Sequence, residues 1–171
     1  MVLRKGSSLL CNISFCQEIT FTEILNWINN SNYPVYMFQK LENKNFTFYK
    51  NSQFLDCTEY IYSSPKNSNR YACFVVANVC DSKVALYSNN EVTRRFEIHL
   101  QDQGSNLYNY LIEKIKFNCT LVKKEKFELK EHYDFASEEC IYKHNSGIYF
   151  SFYSVFDRDC NCMGYFINAE K

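Results

Sequence analysis

The sequence predicts an all-β domain: an antiparallel barrel or sandwich of about eight short strands, entered through one short helix. Three features of the chain indicate this class. Segments rich in β-branched and aromatic residues recur at short spacing, and Asn- and Gly-containing turns separate them. No convincing alternation of strands with helices is present, which argues against a parallel α/β sheet.

Length and composition limit the class of protein further. A chain of 171 residues has the length of one domain, which we assign to residues 17–171. Its 19 basic and 19 acidic residues argue against electrostatic binding of nucleic acid or of a membrane surface. Nine cysteines and several Asn-x-Ser/Thr sequons predict a secreted, extracellular, disulfide-bonded glycoprotein modified at Asn29, Asn45 and Asn118.

The N-terminal segment, residues 1–16, allows two interpretations. Arg4 and Lys5 followed by a short apolar run have the shape of a signal peptide, and the alternative is an ordered edge segment of the domain. Thr20 and Glu23 then have the spacing of a capping box, which predicts a short helix through Ile28.

The strands are expected to follow in order. We predict them at residues 33–41, 46–50, 57–63, 70–80, 83–88, 91–101, 107–121 and 148–156, and the apolar residues that alternate within 127–135 predict a further strand. The first turn of 107–121 could equally be helical, and residues 123–126 are predicted to be a basic, solvated loop. Within 91–101, Arg95, Glu97 and His99 alternate with apolar residues, which predicts a strand with one polar face.

The last hairpin is the most informative stretch. The turn His144-Asn145-Ser146-Gly147 leads into an almost wholly aromatic or small run, residues 148–156. Alternation divides that run into two faces, with Ile148, Phe150, Phe152 and Phe156 on one and Tyr149, Ser151, Tyr153 and Val155 on the other. Both faces are largely buriable, as in a barrel wall that is covered outside and lined inside.

This stretch resembles the arthropod lipocalins of tick saliva, especially the histamine-binding type. That family has Tyr, Cys and Tyr, then a Gly-led aromatic strand, then Cys and Phe. The matching residues here are Tyr133, Cys140, Tyr142, the run Gly147-Ile148-Tyr149-Phe150-Ser151, Cys162 and Phe166. The resemblance implies an eight-stranded lipocalin-like barrel whose base is closed by the helix that carries Trp27. It also implies a Cys140–Cys162 disulfide and, as a second pair, Cys57–Cys160.

The function that the resemblance implies is sequestration of a biogenic amine, an eicosanoid or a fatty acid in the barrel cavity. The family's amine-facing Glu and Trp are replaced here by Tyr149 and Ser151. A cationic ligand would then need another carboxylate, and Glu131, set in the apolar face of its strand, is the candidate unless it ends on a rim. With the inner face assigned from the resemblance, the predicted ligand contacts are Trp27, Tyr36, Phe38, Glu131, Tyr149, Ser151 and Tyr153. Periodicity alone would choose the face with Ile148, Phe150 and Phe152, and ordinary core packing would account for Trp27.

Other classes of function stay open. The protein could instead bind a host or cell-surface protein through its exterior, with its own aromatic residues filling the interior. The chain carries no local signature of a catalytic nucleophile, so we expect neither an enzyme nor a cofactor. Cys160 and Cys162 could ligate zinc together with His144 or Cys140, but disulfides are the expected state of cysteines in a secreted chain, so no metal is predicted.

Overall fold

The computed structural model describes residues 19–54, 57–63, 74–80, 94–101, 104–126, 133–159 and 161–171. These residues form three helices, α1 (Phe21–Asn29), α2 (Val35–Asn43) and α3 (Ser105–Asn118). They also form nine strands, β1 (Thr47–Phe54), β2 (Cys57–Ser63), β3 (Phe74–Cys80), β4 (Arg94–Gln101), β5 (Thr120–Glu125), β6 (Tyr133–Ala136), β7 (Glu139–Lys143), β8 (Tyr149–Asp157) and β9 (Cys162–Glu170). The described chain is therefore mostly β, as predicted, with more helix than expected.

Helix α1 begins where the capping box predicted. The Thr20 side chain accepts a hydrogen bond from the Glu23 amide, and the Glu23 carboxylate accepts one from the Thr20 amide. The apolar residues Phe21, Ile24, Trp27 and Ile28 recur at helical spacing, and all are buried. Local capping and tertiary burial thus favour the same conformation for this segment.

The strand expected at residues 33–41 is instead helix α2. Met37 and Leu41 are four residues apart and fully buried, with Phe38 against the same core, so the apolar stripe has helical rather than alternating spacing. The strand expected at 107–121 is likewise helix α3 for most of its length, because Tyr108, Leu111 and Ile115 form a buried helical stripe. The predicted basic loop at 123–126 is also wrong, since Lys123 and Lys124 lie within strand β5.

The nine strands form one antiparallel sheet. Eight of them follow the order β1-β2-β3-β4-β9-β8-β7-β5, and β6 pairs with the end of β8 that β7 does not reach. Strand β9, the last along the chain, lies at the centre of the sheet between β4 and β8. Strands β1 and β5 are the two ends of this path, so the closed barrel expected from the sequence is not seen among the described strands.

One face of the sheet carries the hydrophobic core. Helices α1 and α3 contact each other, and both contact the central strands β4 and β9. A continuous row of buried side chains crosses this face on five neighbouring strands: Tyr62, Val75, Ile98, Ile167 and Phe152. Ile148, Phe150 and Phe152 belong to this core, so alternation alone correctly identified the side of the last hairpin that packs against it.

Candidate functional site

On β4, β9 and β8, the three central strands of the sheet, the face opposite the hydrophobic core carries a set of polar and aromatic side chains, which we call the polar face. Residues paired across neighbouring strands project to the same side of a sheet. The register therefore aligns Arg95 with Glu170 and Tyr149, Glu97 with Asn168 and Ser151, and His99 with Phe166 and Tyr153. The polar face comprises these nine residues: Arg95, Glu97, His99, Tyr149, Ser151, Tyr153, Phe166, Asn168 and Glu170.

Four members of the polar face are buried although they are polar or charged. Arg95, Ser151, Asn168 and Glu170 are between 0% and 7% exposed, and they are the only buried polar or charged residues among those the structure describes. A charged side chain in the interior is costly unless it is paired. The Arg95 guanidinium lies 3.6 Å from the Glu170 carboxylate, and the Asn168 amide donates to the Ser151 hydroxyl at 3.1 Å. The four buried polar side chains of this face are thus paired with one another.

The remaining members form a half-buried aromatic group with a carboxylate beside it. The rings of Tyr153 and Phe166 stack with 4.8 Å between their centroids and 8° between their planes. The His99 ring lies 4.9 Å from Phe166, and its Nε2 is 3.0 Å from the Glu97 carboxylate. The side chain of Glu97 is 23% exposed, compared with 8% for that of Arg95. A flat or cationic molecule would therefore find a ring surface and an approachable carboxylate on one side of the sheet.

The residues predicted to contact a ligand fall into two groups on opposite sides of the sheet. Tyr149, Ser151 and Tyr153 lie together on the polar face. Trp27 is 1% exposed and meets the Phe96 ring edge-on at 5.5 Å in the core, which agrees with the alternative of ordinary core packing. Phe38 stacks on Tyr62, also on the core side. The predicted set is therefore not brought together as one site.

Two further residues complete the predicted set. Tyr36 lies on helix α2 rather than on a strand, packs at the margin of the core and has the Lys40 ammonium 5.2 Å above its ring. Glu131 lies outside the described residues.

Several members of the polar face were not predicted as site residues. Glu97 and His99 were recognised only as the polar side of an alternating strand, a signal that does not reveal what lies across from them. Phe166 and Asn168 lie in residues 162–170, which follow a cysteine-rich break and are not among the predicted strands. The signal that could have found β9 is its run of apolar, aromatic and small residues from Met163 onward.

The predicted Cys140–Cys162 disulfide is wrong. Cys140 has a free thiol, and Cys162 is disulfide-bonded to a different cysteine. Cys140 lies across from Phe152, whereas Cys162 lies across from Asp157, on the far side of β8. The two cysteines are therefore roughly 16 Å apart along the strand direction alone, well beyond the Cα separation of up to about 7 Å that a disulfide allows. Of the second predicted pair, Cys57–Cys160, Cys160 lies outside the described residues.

The described thiols and histidines do not assemble into a reactive or metal-binding group. Burial raises the pKa of the Cys119 thiol to about 11, so at neutral pH it is protonated and a weak nucleophile. His144, considered as a zinc ligand, has its Nδ1 2.8 Å from the Ser146 hydroxyl and its ring against Phe21. Within the described ranges no three His, Cys, Asp or Glu side chains are grouped as a metal site would require.

The predicted glycosylation sites all have exposed side chains. Asn29 ends helix α1, Asn45 follows α2 with a positive φ of 62°, and Asn118 ends α3. The Asn29 side-chain oxygen accepts a hydrogen bond from Lys171, and the Asn118 amide donates to the Lys114 carbonyl. Exposure is necessary for glycosylation but does not establish it, so these sites stay predictions.

Comparison with known proteins does not assign the chain to a family. No family model matches it, and neither the curated proteins nor the solved structures include a match. None of the described helices is both long enough and apolar enough to span a membrane.

Proposed function

We propose that this protein is a secreted, lipocalin-like carrier that sequesters a small ligand on the polar face. The observation that carries the proposal is the combination on one sheet face of buried paired polar groups, a half-buried aromatic stack and a carboxylate. An open sheet face would leave such groups in water, so their burial supports a sheet that curls around this face. The lipocalin-like barrel is proposed in open form, with β1 and β5 as separate ends.

Among the ligand classes considered, an aromatic biogenic amine suits this face better than a fatty acid or an eicosanoid. Its ring would pack on Tyr153 and Phe166, and its ammonium group would approach Glu97. The carboxylate of a lipid would need a cation, and the side chain of Arg95 is only 8% exposed, compared with 23% for that of Glu97. In this proposal Glu97, rather than Glu131, is the carboxylate that pairs with a cationic ligand.

Isothermal titration calorimetry of the purified protein with histamine, tryptamine and arachidonic acid tests this proposal. We expect an amine to bind and Glu97→Gln to weaken it by about 2–5 kcal/mol, roughly 30-fold or more in Kd. The matched control is Glu59→Gln on β2, a half-buried glutamate that accepts a hydrogen bond from Ser52 outside the three central strands. Near-ultraviolet circular dichroism checks that both variants keep the native packing.

Three results would contradict parts of the proposal. Binding of none of the three compounds would remove the case for a carrier of this type. Tight binding of arachidonic acid with no effect of Glu97→Gln would assign the site to a lipid. A large effect of Glu131→Gln with none from Glu97→Gln would move the ligand away from the polar face.

A further inference from the structure

Strand β5 forms one end of the sheet and is exposed along nearly its whole length. It pairs with β7 along one edge, and no other described strand pairs with it. Of its six residues only Glu125 is half-buried, and the other five are exposed. The outer edge therefore presents backbone amide and carbonyl groups to which an extended chain can bind.

Apolar side chains beside this edge are unusually exposed. Phe117, in the last turn of α3, is 87% exposed, and Leu121 and Val122 on β5 are 44% and 53% exposed. All three fall within six residues of the chain, because α3 ends at Asn118 and β5 begins at Thr120. A phenylalanine exposed to this extent buries little apolar surface on folding, so its ring is available to pack against a partner.

The surroundings of these apolar residues are basic. Residues 113–126 contain five lysines and two glutamates. Lys124 and Lys126 are exposed and have no described acidic partner, whereas Lys123 pairs with Glu125. We call the set Lys114, Phe117, Leu121, Val122, Lys123, Lys124 and Lys126 the β5 edge surface. Its charge favours an acidic partner and disfavours antiparallel pairing of β5 with a second copy of itself.

Lysines on an edge strand also have a simpler role, because they prevent aggregation through open edges. The irregular register between Leu121 and Lys123 has the same effect. That role does not account for Phe117, Leu121 and Val122, because exposed apolar side chains at an edge promote the association that the lysines prevent. Selection of one kind of partner accounts for both features, since the lysines exclude like strands and accept acidic ones.

We propose that the β5 edge surface docks an extended acidic segment of another protein, which adds to the sheet as a strand beside β5. The segment's backbone continues the hydrogen-bond ladder, its aspartate or glutamate side chains meet Lys124 and Lys126, and its apolar side chains cover Phe117 and Val122. This surface lies at an end of the sheet, away from the central strands that carry the polar face. The inference therefore stands independently of the small-ligand proposal.

Selection from a phage-displayed random heptapeptide library on the immobilised full chain tests the chemistry of the partner. We expect enriched sequences that combine acidic residues with β-branched or aromatic ones. A synthetic peptide of the leading sequence is then titrated by fluorescence anisotropy. Lys124→Glu should weaken it about tenfold, whereas Lys50→Glu, which reverses the charge of an exposed strand lysine on β1, should not. Phe117→Ser should also weaken binding, and Tyr49→Ser, at a ring that is 62% exposed, should not.

Hydrogen exchange measured by nuclear magnetic resonance tests the proposed geometry. The selected peptide should slow exchange of outward-facing β5 amides and leave those of β1 unchanged. Enrichment of peptides without acidic residues, or equal weakening by Lys124→Glu and Lys50→Glu, would overturn the proposal. So would a β5-dependent dimer in analytical ultracentrifugation. Phe117-dependent sedimentation with phosphatidylserine vesicles, in the absence of any peptide effect on β5 exchange, would assign the surface to a membrane instead.

Discussion

Thr20 and Glu23 fix the start of helix α1 through reciprocal hydrogen bonds. The Glu23 amide donates to the Thr20 hydroxyl at 3.2 Å, and the Glu23 carboxylate accepts from the Thr20 amide at 2.9 Å. The same carboxylate lies 2.9 Å from the Lys44 ammonium, at the end of α2. One pair of residues thus caps a helix and joins it to its neighbour.

Replacement of the capping hydroxyl should have a measurable cost. We expect Thr20→Ala to lower the free energy of unfolding by about 1 kcal/mol, because the Glu23 amide loses the hydroxyl that accepts its hydrogen bond. Thr22→Ala is the matched control, since Thr22 is exposed within α1 and an alanine there favours the helix. Urea denaturation followed by circular dichroism measures both. Equal effects would show that the capping box is not what holds this end of α1.

The same contacts predict a dependence of stability on pH. Burial opposes ionisation of Glu23, but the Thr20 hydrogen bonds and the nearby Lys44 outweigh it and hold the pKa below its ordinary value of 4.5. A carboxyl whose folded pKa is lowered contributes stability above its unfolded pKa and loses it as pH falls through the folded pKa. The difference in unfolding free energy between the wild type and Glu23→Gln should therefore be larger at pH 7 than at pH 3. A difference that is unchanged or grows on acidification would contradict this cause.

Alkylation tests which cysteines are free thiols and which are bonded in a disulfide. Unfolding in iodoacetamide without reductant should alkylate Cys119 and Cys140, because both carry free thiols. Cys162 should react only after reduction. Peptide mapping by mass spectrometry distinguishes the two groups. Alkylation of Cys162 before reduction, or a peptide linked through Cys140, would contradict this assignment.

At the scale of elements, helix α1 is joined to the sheet through Trp27 and Phe96. Both side chains are almost completely buried, and their rings meet edge-on. Phe96→Ala should destabilise the protein by about 3–5 kcal/mol, because it leaves a cavity beneath the helix. The control is Phe117→Ala, which removes the same ring from a surface position and should change stability by less than about 0.5 kcal/mol.

Trp27 is the single tryptophan of the chain, so its fluorescence emission reports the cavity that Phe96→Ala leaves beside it. Trp27 emission should be blue-shifted in the wild type and shift toward longer wavelength in Phe96→Ala. Solvent-like emission from the native wild-type protein would contradict the burial of this ring.

An element could be predicted where the residues that determine it are close together in the sequence. Helix α1 has its signal in four adjacent residues, and the hairpin of β7 and β8 has a glycine at positive φ in its turn. Strand β4 has clean alternation. Propensity alone predicts strands in place of helices α2 and α3 because their aromatic residues carry high strand propensity, and only burial against the sheet selects the helical spacing.

At the scale of the whole molecule, the polar face depends on register rather than on local sequence. Tyr149, Ser151 and Tyr153 were selected through a family resemblance, and they do share one face. Asn168 joins them through the pairing of β8 with β9, and Glu97 joins them because β4 pairs with β9, which connects segments about 70 residues apart along the chain. No local pattern encodes that alignment, so the neighbours of the predicted residues could not be identified from sequence.

The central position of β9 has a consequence for the order in which the chain can fold. Strands β1 to β4 pair consecutively, and β5, β7 and β8 pair among themselves, so each group can form early from contacts close in sequence. Both groups nevertheless leave an open edge at the middle of the sheet until residues 162–170 are available to fill it. During synthesis these edges stay exposed until β9 leaves the ribosome, which makes this interval the one in which a nascent chain is most vulnerable to misassembly and most in need of chaperones.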